Sequence, residues 1–140
     1  MAKIFTFENI KVFFKHTDYY GFVHPYNYYE WTSYVREAFF QKTVPNFKDV
    51  MCRLIKMMTV KIRCELFDDS EFGDTIEACL SVGKIKKVSF DMNIRFINVK
   101  KNKAVCQTNH TIVFVNSENG KFADIPEEMK QVIVRYSEND

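Results

Sequence analysis

The chain has 140 residues, of which 46% are hydrophobic and 27% charged, a composition that excludes a disordered protein and suits a globular domain. Its 20 basic and 18 acidic side chains leave a net charge of +2, which is too balanced to indicate nucleic-acid binding. Only 4 Gly and 3 Pro accompany 14 Phe, 7 Tyr and 1 Trp, so few residues remain for turns. We therefore expect a single domain over residues 1–140, with long elements and short connections.

The first third of the chain predicts a strand, a loop and a long helix. Residues 5–14 combine β-branched and aromatic residues with polar ones in the partial alternation of a strand. From Asn27 to Lys42 the apolar residues recur at helical spacing, which predicts an amphipathic helix of about four turns. Pro25 suits the first turn of this helix, and Pro45 ends it because the residue before a proline avoids helical backbone.

The rest of the chain alternates polar and apolar residues with a period close to two. Three half-buried strands are predicted around residues 60–66, 76–82 and 88–96, followed by a fourth at Ala104–Asn116 and a terminal helix near Glu127–Val134. One strand, a long helix and four more strands predict an α+β fold, with one curved antiparallel sheet wrapped around one helix. Because one helix covers only one face of such a sheet, we expect at least a homodimer.

The sequence offers no sign of a metal site or of export. Its four cysteines contain no C-x-x-C pair, which gives a zinc site little support. No apolar run approaches the ~18 residues of a transmembrane helix, and the first residues lack the apolar core of a signal peptide. We expect a cytoplasmic protein with reduced thiols and no membrane span.

The loop before the long helix holds the strongest candidate for chemistry. Asp18 lies among Tyr and Phe residues, where partial desolvation would make its carboxylate a better base or nucleophile. The helix start nearby offers backbone N–H groups that can polarise a carbonyl. The same residues could instead form only an Asx turn completed by Gly21, and spacing alone favours that simpler interpretation.

The segment VFFKHTDYYGFVHPYNYYEWTSYVREAFF resembles the signature of hotdog-fold thioesterases of the 4-hydroxybenzoyl-CoA thioesterase type. The matching residues are Phe13, Phe14, Asp18, Gly21, Val23, Asn27, Tyr28 and Trp31. Weaker similarity over residues 64–76 and 118–126 extends the resemblance to nearly the whole chain. It implies a hotdog fold, with a five-stranded antiparallel sheet around a long central helix, and active sites at the interface of a homodimer or homotetramer.

The resemblance also implies a catalytic site. Asp18 would be the nucleophile or general base that hydrolyses an acyl thioester to a free acid and a thiol, without any cofactor or metal. Backbone N–H groups at the start of the central helix would polarise the carbonyl. Pro25, however, falls where relatives often use such an N–H group, and proline has none. The donor would then be Tyr26, Asn27 or a group of the partner subunit, and His16 replaces a first Asp that many members carry.

Two further residues are candidates for catalysis. Residues 34–40 with Pro45 also resemble the acyl-carrier-protein thioesterases of enediyne polyketide pathways, which lack the Asp and rely on an Arg in the central helix. Arg36 occupies the similar position and could stabilise an oxyanion, or it could be a solvated helix residue. His24 could hydrogen-bond the thioester or relay a proton, or it could simply cap the helix.

The remaining predictions concern substrate and partners. The predicted substrate-binding residues are Tyr19, Gly21, Tyr26, Asn27 and Tyr28. The loop aromatics could wall an acyl pocket or anchor a dimer interface. Lysine clusters at residues 84–87 and 100–103 could bind CoA phosphates or an acidic acyl carrier protein, or only keep strand edges soluble. We expect an acyl thioesterase that acts on acyl-CoA or acyl carrier protein; the alternative is a non-catalytic acyl-thioester binder or regulator.

Overall fold

A computed structural model describes residues 2–137. Five strands form one antiparallel sheet, and they are β1 (Phe5–Lys11), β2 (Ile55–Leu66), β3 (Thr75–Ile85), β4 (Ser89–Asn98) and β5 (Lys103–Asn116). The spatial order is β1-β3-β4-β5-β2. The helices are α1 (Tyr26–Thr43), α2 (Phe47–Met51) and α3 (Glu127–Arg135). The long helix α1 packs on the sheet, which confirms the predicted hotdog fold.

The central helix α1 forms where its apolar periodicity predicts it. Its buried face carries Tyr28, Trp31, Val35, Phe39 and Phe40. The ring of Tyr28 lies 5.2 Å from that of Phe96 on β4, between ring centroids. The helix ends at Thr43, and Val44 is extended (φ −95°, ψ 116°), as expected before Pro45. Among residues 2–137, no helix is long and apolar enough to cross a membrane.

The first strand is shorter than predicted and contains a bulge. Asn9 adopts a positive φ of 65°, and the register with β3 shifts between Phe7 and Ile10. After β1 ends at Lys11, a single 3₁₀ turn at Phe14–His16 redirects the chain toward α1. Residues 12–14, which the sequence pattern assigned to the strand, therefore belong to the loop that carries Asp18.

Strand β2 differs from the prediction of a half-buried strand. Val60, Ile62 and Leu66 are 54%, 41% and 52% exposed. Their alternation with polar residues is regular, but β2 pairs only with β5 and lies at the edge of the sheet. A bulge between Thr59 and Lys61 further disturbs its register. The edge position leaves a row of apolar side chains uncovered in the single chain.

Candidate functional site

The loop between β1 and α1 is an ordered turn that pairs with the β2–β3 connection. The Asp18 N–H group donates to the carbonyl oxygen of Phe22 over 2.8 Å, and the Val23 N–H group donates to the carbonyl oxygen of Ser70 over 2.8 Å. Gly21 supplies the positive φ of 83° that closes the turn. These bonds hold the Asp18 turn beside Ser70.

The carboxylate of Asp18 is half-buried, and its two oxygens differ. Oδ1 accepts hydrogen bonds from the N–H groups of Tyr20 (2.9 Å) and Phe22 (3.2 Å). Oδ2 accepts no hydrogen bond from any residue within 2–137. The Asx turn therefore forms as its simpler interpretation predicted, and it also orients a second oxygen that is available to water or substrate.

The backbone N–H groups at the start of α1 already have acceptors. Pro25 supplies none. The Tyr26 N–H group donates to Nδ1 of His24 over a long 3.3 Å. Those of Asn27 and Tyr28 donate to the carbonyl oxygens of His24 and Pro25, each over 3.0 Å. The backbone donors that the resemblance implies are thus occupied, and that of Tyr26 is the most weakly held.

The side chain of Asn27 fastens the loop to the helix. Asn27 is only 3% exposed, and its Nδ2 donates to the carbonyl oxygens of His16 (2.7 Å) and His24 (3.0 Å). The ring of His16 packs between Phe13 and Trp31, and its Nδ1 accepts the N–H group of Phe13. Burial, with Lys15 nearby, lowers the pKa of His16, so this imidazole stays neutral beside the loop.

A cavity of about 270 Å³ lies between the start of α1 and the end of β2; we call it the helix-start cavity. Its wall includes Val23, Tyr28, Leu66, Asp68, Asp69 and Ser70. Tyr28 is 1% exposed, and within residues 2–137 its hydroxyl makes no hydrogen bond of regular geometry; the Ser70 side chain is its polar neighbour. Burial, with Cys106 nearby, raises the pKa of Tyr28 far above its ordinary value. The phenol is therefore a neutral donor at the edge of this cavity.

Two carboxylates of the cavity were missed by the sequence interpretation. Lys103 (2.7 Å) and Lys101 (3.4 Å) contact the Asp68 carboxylate. With Lys103 as the main cause, they hold the pKa of Asp68 at about 2. Asp69 has no side-chain hydrogen bond or ion pair among the described residues. In the sequence these are two adjacent acidic residues between a strand and the Gly73 turn. Their spacing could not show that they lie near Tyr28.

Arg36 lies apart from this group. Its half-buried side chain donates from Nη1 to Oγ1 of Thr59 on β2 over 2.7 Å, and burial lowers the pKa of its guanidinium. Ten residues separate Arg36 from Tyr26, which corresponds to about 15 Å along the helix axis. One protomer therefore brings Asp18, His24, Asn27 and Tyr28 to the same end of α1 but leaves Arg36 near its middle.

The predicted loop aromatics point to the surface. Tyr19, Tyr20 and Tyr26 are 97%, 79% and 53% exposed, and none of them lines the helix-start cavity. A second depression of about 660 Å³ runs between β1 and the other side of α1. It includes Trp31 and His16 but not these three tyrosines.

Solved structures with the same fold are similar over nearly the whole chain. A 1,4-dihydroxy-2-naphthoyl-CoA thioesterase from Synechocystis has a TM-score of 0.85 at 15% identity, covering 94% of this chain and 96% of that one. A hypothetical protein from Staphylococcus aureus in complex with CoA has a TM-score of 0.87 at 15% identity, with 97% and 85% covered. Dynemicin thioesterase has a TM-score of 0.87 at 17% identity, with 96% and 98% covered.

The family is assigned from the amino-acid sequence and not from the fold alone. A search of curated proteins by sequence finds no match. The family model described as the thioesterase-like superfamily matches residues 12–133, which include the Asp18 loop, α1 and the whole sheet except β1. The chain therefore belongs to the thioesterase-like superfamily, in agreement with the predicted hotdog thioester hydrolase.

Proposed function

We propose that the protein is an acyl thioesterase that cleaves an acyl-CoA or acyl-carrier-protein thioester into a free acid and a thiol, with Asp18 as nucleophile or general base. The observation that carries the proposal is that the two oxygens of the Asp18 carboxylate have different surroundings. Among the described residues, Oδ1 accepts hydrogen bonds from two backbone N–H groups, while Oδ2 accepts none. The carboxylate is half-buried and its turn is tied to the start of α1. Relatives of the same fold include a naphthoyl-CoA thioesterase and a CoA complex, which supports a thioester substrate.

Either route through Asp18 consumes one water and releases one thiol. As a general base, Oδ2 takes a proton from the water that adds to the carbonyl carbon, and that proton passes to the departing thiolate. As a nucleophile, Oδ2 itself adds to the carbonyl carbon, the thiolate leaves, and water then hydrolyses the acyl-carboxylate anhydride. In both routes negative charge develops on the carbonyl oxygen, and the positive end of the α1 dipole favours it.

His24 and Arg36 have different places in this proposal. The Nδ1 atom of His24 accepts a backbone N–H group, so Nε2 is the ring nitrogen that remains to hydrogen-bond a thioester. Arg36 lies about 15 Å farther along α1 than Tyr26, and Thr59 holds its guanidinium. In this proposal Asp18, and not Arg36, acts at the thioester carbonyl.

A homodimer through β2 is the assembly we propose, with a homotetramer built from two such dimers. An edge strand with exposed apolar residues is a template for pairing with another strand, and Val60 and Ile62 are both more than two-fifths exposed. Light scattering should give a dimer or tetramer for the wild type and a smaller species for Ile62→Lys. The control is Thr6→Lys on the opposite edge strand, β1. A monomeric wild type at micromolar concentration would refute this assembly.

Two further features support a CoA or carrier-protein thioester and a cytoplasmic location. Lys101 and Lys103 lie beside the helix-start cavity, because both contact Asp68 in its wall. Such cations favour the phosphates of CoA or an acidic carrier protein. The four cysteines are free thiols in the described chain, which fits a reducing compartment such as the cytoplasm. Comparing the rate on CoA and carrier-protein thioesters of one acyl group would identify the carrier.

The deciding experiment is hydrolysis of a panel of acyl thioesters, followed by released thiol. Asp18→Asn keeps an Oδ1 acceptor for the turn but removes the basic carboxylate, so we expect kcat to fall by about 10²–10⁴-fold. Asp69→Asn is the matched control, because it alters the other free carboxylate near the start of α1. If Asp69→Asn loses the activity and Asp18→Asn retains it, Asp69 is the base.

The second candidate is a non-catalytic binder of acyl thioesters. Pro25 and the occupied N–H groups of Asn27 and Tyr28 favour it, since they leave the thioester without a free backbone donor. Such a protein would bind acyl-CoA measurably by calorimetry and would release no thiol from any member of the panel. That pair of results would replace the hydrolase proposal by the binder.

A further inference from the structure

Thioester hydrolysis at the start of α1 lacks a backbone donor for the carbonyl oxygen. Pro25 has no N–H group, and the N–H groups of Asn27 and Tyr28 are used inside the first turn. Only the Tyr26 N–H group is weakly held, over 3.3 Å. A developing oxyanion that is left without a donor in a desolvated site would raise the barrier substantially. A side-chain donor near this helix end would supply what these backbone groups do not.

One side chain fits the requirement. We propose that Tyr28 is a catalytic residue whose phenolic O–H group donates a hydrogen bond to the thioester carbonyl oxygen, and to the oxyanion that forms from it, in the helix-start cavity. Tyr28 lines this cavity and is 1% exposed. Its hydroxyl makes no hydrogen bond of regular geometry among the described residues, although the Ser70 side chain lies close enough to act on its pKa. A buried hydroxyl that is left unpaired is costly, and a bound carbonyl oxygen would satisfy it.

The ring of Tyr28 is held in position before any substrate binds. Trp31 packs edge-on against it, with ring centroids 5.3 Å apart, and Phe96 packs on it at 5.2 Å. A donor that is fixed by packing costs little reorganisation when charge develops on its acceptor. Burial also raises the pKa of Tyr28, which keeps the phenol protonated and able to donate.

The loop that carries Asp18 borders the same cavity. Phe22 pairs with Asp18 through both its carbonyl oxygen and its N–H group, and the next residue, Val23, is part of the cavity wall. The Val23 N–H group is bonded to Ser70, which lines the cavity together with Tyr28. The turn that carries Asp18 is therefore joined through Val23 to the same cavity wall as Tyr28, although Asp18 itself does not line the cavity.

The step requires no proton from Tyr28. Water adds to the carbonyl carbon and gives its proton to the carboxylate, while the carbonyl π electrons become the oxyanion that accepts the hydrogen bond from Tyr28. The oxyanion then re-forms the C=O bond, the C–S bond breaks, and the thiolate leaves and takes up the proton from the carboxylic acid. The inference rests on the proposed hydrolysis for its chemistry, but its contact can be tested by binding alone.

The test is Tyr28→Phe, which removes one oxygen and keeps the ring. On the best-cleaved thioester we expect kcat to fall by about 10²–10³-fold, the usual effect of losing one oxyanion donor, with a much smaller change in KM. Tyr136→Phe is the matched control: Tyr136 is also partly buried and packs on α1 through Phe39, but it is outside the cavity wall. Its kcat should equal that of the wild type. A wild-type kcat for Tyr28→Phe would overturn the inference and leave the proposed hydrolysis intact.

A second measurement does not depend on turnover. A ketone analogue of the acyl thioester, with CH₂ in place of sulfur and ¹³C at the carbonyl, reports hydrogen bonding through its infrared carbonyl stretch. We expect a lower frequency when it is bound to the wild type than when it is bound to Tyr28→Phe. Equal frequencies would overturn the contact. A lower frequency in a wild type that cleaves no thioester would support the contact while refuting the hydrolysis.

Discussion

Among residues 2–137, the side chains of Tyr28 and His110 are buried near α1 and have polar atoms without a hydrogen-bond partner. The hydroxyl of Tyr28 is near the start of α1, and the ring of His110 on β5 lies beside Arg36. Between them the hydroxyls of Thr32 and Thr108 bond to each other over 2.7 Å. The same helix–sheet contact thus holds one satisfied polar pair and two unsatisfied groups.

The surroundings give the two unsatisfied groups different consequences. Tyr28 lines a cavity of about 270 Å³, where we propose that a ligand oxygen accepts a hydrogen bond from its hydroxyl. His110 lies close to the guanidinium of Arg36, which Thr59 holds in place. A cation beside an imidazole disfavours its protonation. We therefore propose that the first group binds substrate, and we expect the second to make folding sensitive to acid.

The largest expected effect concerns His110 and pH. Burial, followed by the charge of Arg36 and opposed by Asp91, lowers the pKa of His110 from 6.5 to about 4. The unfolded chain binds this proton below pH 6.5 and the folded chain only near pH 4. Stability is therefore lost as the pH falls between these values, by about 3 kcal/mol at about 1.4 kcal/mol per unit. Urea unfolding of the wild type and of His110→Leu from pH 7 to pH 4 measures this loss.

In His110→Leu this part of the slope should disappear, while the wild type retains it. His24→Gln, which changes an exposed histidine, is the control and should keep the wild-type slope. Asp68 has a pKa of about 2, so its protonation affects stability at a lower pH than the protonation of His110. Parallel pH slopes for wild type and His110→Leu would contradict the assignment.

The second effect concerns the satisfied pair between the two unpaired groups. Thr32→Val or Thr108→Val alone leaves one buried hydroxyl without a partner, so each should lower the free energy of unfolding by about 1–3 kcal/mol. Replacing both hydroxyls removes the unpaired group, and the double variant should be close to the wild type. A double-mutant cycle from urea unfolding measures the coupling. Additive losses would mean that the two hydroxyls act independently.

The third effect is a change in the pKa of His110. Arg36→Met removes the charge that lowers the pKa of His110, so that pKa should rise toward 6.5 by a fraction of a unit; burial, the larger cause, remains. Ring signals in nuclear magnetic resonance, followed against pH, give the value. Arg95→Met on β4 is the control, because Arg95 is exposed and is not among the charges acting on His110. An unchanged pKa of His110 in Arg36→Met would mean that the charge of Arg36 does not act on His110.

Much of the fold follows from local pattern. The helical spacing from Tyr28 to Phe39 and the two prolines predicted α1 almost to its ends, because capping and periodicity depend on neighbours in sequence. The polar–apolar alternation in β2 did not predict that its apolar side chains are exposed. A polar–apolar pattern is the same for a half-buried strand and for an edge strand, and only the pairing order decides which one forms.

The candidate site was less predictable for a related reason. Asp18 and Gly21 could be singled out because a turn and its carboxylate are close in sequence. Asp69 and the unpaired hydroxyl of Tyr28 could not be linked, since they are about forty residues apart and meet only when the β2–β3 connection reaches the start of α1. Whether a buried phenol has a partner is a property of the assembled packing.

The smallest expected effect completes the comparison between the unpaired and the paired hydroxyls. In the free protein Tyr28→Phe removes a hydroxyl that makes no regular hydrogen bond among residues 2–137, so the free energy of unfolding should stay within about 0.5 kcal/mol of the wild type or rise slightly. Urea unfolding without ligand measures it, with Thr32→Val as the contrasting variant in which a made bond is lost. A loss of stability in Tyr28→Phe as large as that in Thr32→Val would mean that the phenol is already bonded inside the fold. Its hydroxyl would then be structural, because a bond needed for folding is not free to meet a carbonyl oxygen.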